Sequence, residues 1–145
     1  MFGPHLIMEA TGCSYEKLTD MKLLTNLLNE LPTKMNMTKI MEPHVFEYKG
    51  GQEPDDWGLS GIVIIAESHL AFHTFPDKGF LTVDIFSCKD FDVKQAVEEI
   101  VKVFEPEAWD QQLIQRGREF PRSMTRAKLV LDNERTQMGQ LAFAS

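Results

Sequence analysis

A chain of 145 residues is long enough for one domain with its own core, and its 43% hydrophobic and 26% charged residues are the balance of an ordinary globular protein. Acidic residues outnumber basic ones 22 to 15, a formal net charge of −7, which argues against a nucleic-acid partner because that partner needs a basic face. No apolar run approaches the roughly 20 residues of a membrane helix, the N-terminus lacks a signal-peptide pattern, and two cysteines make neither a disulfide framework nor a zinc motif, so a reduced cytoplasmic setting fits.

In chain order, Leu6 to Ala10 reads as a strand broken by Gly12. Ser14 then suits an N-cap, and Leu18, Met21, Leu24, Leu28 and Leu31 recur at helical spacing until Pro32, which is expected to stop the helix. Lys39 to Tyr48 is a strand candidate interrupted by Pro43, and Gly50-Gly51 with Pro54 and two aspartates marks a loop. Ile62 to Ala66 is a continuous apolar run, as in a buried strand. Strands are expected at 69–75 and 80–87, joined by Pro76-Asp77-Lys78-Gly79, in which proline fixes φ and glycine tolerates a positive one.

Asp92 with Gln95 resembles a capping pair ahead of a second helix striped by Val93, Val97, Ile100 and Phe104 and ended by Pro106. Leu113-Ile114 suggests a last short strand, and residues 122–145 read as a polar tail or dimer arm. Strands alternating with two helices predict an α+β fold, a two-layer sandwich of a mostly antiparallel sheet with both helices on one face. The other face would stay apolar and exposed in a lone subunit, which motivates a homodimer.

The segment Glu67-Ser68-His69-Leu70-Ala71-Phe72-His73, with Cys88 beyond it, holds the residues of greatest chemical interest. Each has a plain reading. Ser68 alone is a turn serine between two strands, and Cys88 alone is a small buried hydrophobe. His69 and His73 fall on one strand face by alternation, where they form a polar patch or a metal pair that lacks a well-placed third ligand, neither His44 nor Asp77 serving. Asp77 alone forms a turn, and Phe46 and Trp57 alone are packing residues.

Their joint spacing nevertheless resembles the pyruvoyl-dependent S-adenosylmethionine decarboxylases of short bacterial and archaeal type. Ser60, Ser68, His73 and Cys88 have counterparts in that family, and the likeness runs from about residue 3 to 105. The resemblance implies self-cleavage between Glu67 and Ser68, giving a β chain of 1–67 and an α chain of 68–145. Ser68 would become a pyruvoyl group that holds the substrate amine as a Schiff base and acts as the electron sink for decarboxylation. It implies His73 as the elimination base, folded back toward Ser68 from the following strand, Ser60 as a hydrogen-bonding partner of the processing intermediate and Cys88 as the acid that protonates the product. Glu67, Asp77 and an aromatic residue, Phe46 or its rival Trp57, would hold substrate, with active sites at a dimer interface and no metal.

Phe75 stands where many members have Trp, and Asp77 where many have the Glu that holds the ribose. The loop of residues 49–56 looks longer than in compact members. Those departures leave open a pyruvoyl-dependent arginine or ornithine decarboxylase, or a non-catalytic paralogue paired with an active subunit, beside the decarboxylase that makes the aminopropyl donor for polyamines.

Overall fold

A computed structural model describes residues 3–117; the expected tail at 122–145 lies outside them. The elements are β1 (Gly3–Thr11), α1 (Tyr15–Thr19), α2 (Met21–Lys34), β2 (His44–Lys49), β3 (Trp57–Ile65), β4 (Ser68–Phe75), β5 (Phe80–Ser87), α3 (Val93–Phe104) and β6 (Ala108–Arg116). The six strands form one antiparallel sheet in the order β2-β3-β4-β5-β1-β6. With the helices on one face of it, this is the expected α+β two-layer architecture.

Alternation along the strands sends one set of side chains under the helices. Leu6 and Met8 of β1, Val63 of β3, Leu70 and Phe72 of β4 and Val83 and Ile85 of β5 are all fully buried. They meet Leu24, Leu28 and Leu31 of α2 and Ala96, Ile100 and Phe104 of α3 in one core cluster. Gly61 lets α2 lie close, since a Cβ there would sit 2.7 Å from Leu28 Cδ1.

The single helix expected from Ser14 is two. Asp20 adopts extended backbone, φ −80° and ψ 93°, where it closes α1 and caps α2, its carboxylate accepting from the Leu23 N–H at 2.9 Å. Pro32 does not stop α2. It lies in the last turn, where the Leu31 carbonyl still accepts from the Met35 N–H and the Pro32 carbonyl from the Met37 N–H at 2.8 Å, so the helix runs on to Lys34. Asp92 caps α3 as expected, accepting from the Gln95 N–H at 2.9 Å. Gly79 takes φ 60° after a 3₁₀ turn at Pro76–Lys78. β6 is a full nine-residue strand along β1, longer than Leu113-Ile114 suggested, because its exposed surroundings leave no apolar alternation to read.

The open face of the sheet is not simply apolar. Ile7, Ile62, Ile64, Ala71 and Phe75 are half-buried there beside His5, His69 and Asp84, with His73 exposed. Phe46 and Tyr48 on β2 and Ile114 on β6 are more than two-fifths exposed, a surface suited to a partner layer.

Candidate active site

β3 and β4 are joined by the two-residue turn Ala66-Glu67, with Ile65 paired to Ser68 across it. The Ala66 N–H donates to the Thr38 carbonyl at 2.8 Å, which ties the turn to the loop leading to β2. Ser68 opens β4 with φ 158°, at the edge of the extended range that any residue adopts, so the turn positions the Glu67–Ser68 link without an enforced left-handed backbone.

On its other side Ser68 pairs with Ser87, the last residue of β5. That register brings Cys88 alongside the link, where its N–H donates to the Glu67 carbonyl at 2.9 Å. Glu67 is only 4% exposed, yet both carboxylate oxygens are held. Oε1 accepts from Lys89 Nζ at 2.8 Å and Oε2 from the Thr38 N–H at 3.0 Å. The Lys89 ammonium, then the Thr38 N–H, hold the Glu67 carboxyl below the usual carboxylate range.

A second group of side chains lies toward the other end of the same strands. Cross-strand register sets Phe46, Ser60, His73 and Thr82 in one row across the open face. Ser60 Oγ and His73 Nδ1 are 3.0 Å apart. In the tautomer whose Nδ1–H donates to Ser60, Nε2 is the basic nitrogen. A cavity of about 400 Å³ adjoins the row, lined by Tyr48, Trp57, Ser60, His73 and Phe75 among others. Trp57 Nε1 donates to Asp77 Oδ2 at 2.7 Å. The indole also has the Lys49 ammonium 5.7 Å from its centre and Tyr15 at its edge, so Phe46 offers the freer ring face.

The structure therefore brings Glu67, Ser68 and Cys88 together, and Ser60 together with His73, but it keeps the two groups apart. β4 is continuous from Ser68 to Phe75, and five residues at about 3.4 Å each put His73 about 17 Å from Ser68. The expected folding back of His73 toward Ser68 does not occur within one protomer, because an unbroken, doubly paired strand cannot double back.

Three features were not foreseen. Lys89 and Thr38 grip Glu67, although a lone lysine after a strand and a threonine in a loop give no signal in sequence. Beside His69, His5 Nε2 lies 3.0 Å from Asp84 Oδ1, and the Arg116 guanidinium stands 3.9 Å above the Phe86 ring. The ring of His69 packs edge-on to Phe86, and burial, then neighbouring His5, pushes its pKa down. Both cysteines are free thiols, and burial, opposed in part by the charge of Lys17, pushes the pKa of Cys13 up. Among the described residues no three His, Cys, Asp or Glu side chains gather as a metal site, and no helix is long and apolar enough to cross a membrane.

The sequence model of S-adenosylmethionine decarboxylase matches residues 4–117, which take in all six strands but for Gly3, the first residue of β1. The chain belongs to the S-adenosylmethionine decarboxylase family. The likeness reaches past Glu105 and takes in β6, farther than the motifs alone suggested. An S-adenosylmethionine decarboxylase proenzyme of Thermodesulfovibrio yellowstonii is 36% identical over 104 residues, 71% of this chain and 72% of the relative. One of Archaeoglobus fulgidus is 30% identical over 116 residues, 79% of this chain and 97% of its own length. The crystal structure of the adenosylmethionine decarboxylase of Aquifex aeolicus superposes with a TM-score of 0.68 at 27% identity, covering 84% of this chain and 96% of that one. Both relatives are named as proenzymes, the form that precedes processing.

Proposed function

We propose that this protein is a self-cleaving decarboxylase of S-adenosylmethionine, in which Ser68 becomes a pyruvoyl group and the product serves as aminopropyl donor for polyamine synthesis. The observation that carries the reading is the Cys88 N–H on the Glu67 carbonyl at 2.9 Å, with the Ser68 hydroxyl in the adjoining residue. Ser68 Oγ attacks the Glu67 carbonyl carbon, and the negative charge grows on the oxygen that Cys88 already holds. The C–N bond breaks, leaving Glu67 esterified to Ser68 Oγ and a free Ser68 amine. A base removes the Ser68 α-proton, the Glu67 carboxylate leaves, and the dehydroalanine tautomerises and hydrolyses with loss of ammonia.

His73 suits the base, oriented by Ser60, and its distance of about 17 Å from Ser68 along β4 supports a base supplied across a dimer. Two protomers packed by their open faces give each Ser68 the His73 of the partner subunit. When formed, the pyruvoyl group supplies the electron sink for loss of CO₂. The Cys88 thiol, next to that position, donates the proton to the substrate α-carbon. Like His73, Phe46 and Asp77 lie at the far end of the strands from Ser68, so in this reading Phe46 of the partner subunit stacks the adenine and Asp77 of the partner subunit, oriented by its indole neighbour, accepts from the ribose hydroxyls. With one oxygen already taken by the indole N–H, Asp77 suits a hydroxyl better than the two-pronged guanidinium of arginine.

Mass spectrometry of the purified protein tests the first step: chains of residues 1–67 and 68–145 are expected, the second blocked to N-terminal sequencing. Release of CO₂ from carboxyl-labelled S-adenosylmethionine, without added pyridoxal phosphate, tests the second. An intact chain after prolonged incubation, or turnover of arginine or ornithine alone, overturns the reading.

A further inference from the structure

We propose that Lys89 is a positioning residue for self-cleavage, aiming the Glu67 carbonyl through an ion pair with the buried Glu67 carboxylate. This rests on the reading that the Glu67–Ser68 bond cleaves itself. Cys88 and Lys89 grip Glu67 at two points: the Cys88 N–H on its carbonyl at 2.9 Å and the Lys89 ammonium on its carboxylate at 2.8 Å. Thr38 completes the brace, its N–H on the other carboxylate oxygen at 3.0 Å and its carbonyl accepting from the Ala66 N–H at 2.8 Å.

Glu67 is thus fixed by its backbone and both side-chain oxygens, and the nucleophile of the proposed step, Ser68 Oγ, belongs to the next residue. The ammonium lies at the end of a flexible, exposed stem, but its partner is buried. A carboxylate that loses its cation in such a place moves toward water, and the carbonyl on the same residue turns with it. The Lys89 N–H also donates to the Oγ of buried Ser87 at 3.0 Å, which pins the root of the side chain opposite Ser68. Lys89 touches neither the attacking oxygen nor the bond that breaks, so its effect passes through Glu67.

The test follows conversion of intact protein to the two chains, by denaturing gel and mass, in wild type, Lys89→Ala, Lys89→Arg, Glu67→Gln and the Lys89→Ala/Glu67→Gln pair. Lys89→Ala should slow cleavage about 10–100-fold, the cost of a displacement on the order of 1 Å at a reacting centre. Lys89→Arg should restore most of the rate. In the Glu67→Gln background, Lys89→Ala should slow cleavage no further. The fraction of Lys89→Ala that does cleave should keep its KM for S-adenosylmethionine. Cleavage of Lys89→Ala at the wild-type rate overturns the proposal, as does a slow rate that arginine does not rescue or that persists in full over Glu67→Gln. If wild type itself stays intact, the self-cleavage reading fails and this proposal falls with it; a cleaving wild type with an unaffected Lys89→Ala sinks this proposal alone.

Discussion

If each Ser68 is served by the histidine of another protomer, two inactive variants should repair each other. His73→Ala keeps Ser68 but supplies no base, and Ser68→Ala keeps His73 but cannot cleave. The two positions are about 17 Å apart along β4, whereas proton transfer needs heavy atoms within about 3 Å, so the roughly 14 Å excess cannot be closed by side-chain rotation. Alone, Ser68→Ala should not cleave at all, and His73→Ala should cleave about 10²–10⁴-fold more slowly than wild type for want of its base.

Co-expressed in equal amounts, they should pair at random, putting about half of the His73→Ala chains opposite a Ser68→Ala partner. Each such dimer has one complete set, and only its His73→Ala chain should break. Giving the two variants different affinity tags lets a denaturing gel read which one is cut. About half of the His73→Ala chains should be converted, and none of the Ser68→Ala chains. If the mixture stays as intact as its components while wild type cleaves, a base within the protomer does the work and the shared site is wrong.

Cys88→Ala keeps the backbone N–H on the Glu67 carbonyl, so it should cleave while its decarboxylation falls about 10²–10⁴-fold; normal turnover by the cleaved variant excludes the thiol as acid. Phe46→Ala should raise KM for S-adenosylmethionine about 5–150-fold, the worth of one base stacked on an aromatic ring, and Trp57→Phe much less, since it alters only the support of Asp77; steady-state kinetics showing the reverse order would give the stacking role to Trp57. The lowered Glu67 pKa sets a pH signature. Its stabilisation is present above the unfolded carboxylate value of about 4.3 and is lost as pH falls through the lower folded value, so the melting temperature of wild type should exceed that of Glu67→Gln above about pH 5 and the gap should shrink steadily as the solution is made more acid. A gap that stays constant across this range would show that the carboxylate is not held ionised.

Elements with strong local chemistry were legible in the sequence. The Asp92 cap, the turn ending in Gly79 and the apolar run of β3 each follow from the preferences of a few adjacent residues. Where two preferences compete, sequence misleads: Leu18 to Leu31 keeps helical spacing across Asp20, so the break shows only in the backbone, and Pro32 reads as a stop although a last turn tolerates it. The site divides in the same way. Ser60, Ser68, His73 and Cys88 stand out only through the family that their spacing resembles. Their separation into two groups depends on β4 staying straight, and the grip of Lys89 and Thr38 on Glu67 depends on long-range pairing that no local pattern encodes.

The turn at Ala66-Glu67 sits in the middle of the sheet, and a cut there would leave the two products interlaced. The first fragment would own β1, β2 and β3, and the second β4, β5 and β6. In the strand order β2-β3-β4-β5-β1-β6, β1 is flanked on both sides by strands of the second fragment, and β3 and β4 remain hydrogen-bonded neighbours across the cut. Neither fragment could leave without tearing the sheet, so the nicked protein should migrate as one body until denatured. Its return from denaturant would then be a meeting of two molecules, slower as the solution is diluted, whereas the uncut chain refolds alone at a rate that dilution does not change. Cleavage would convert a fold that the chain can find repeatedly into one that it can only keep.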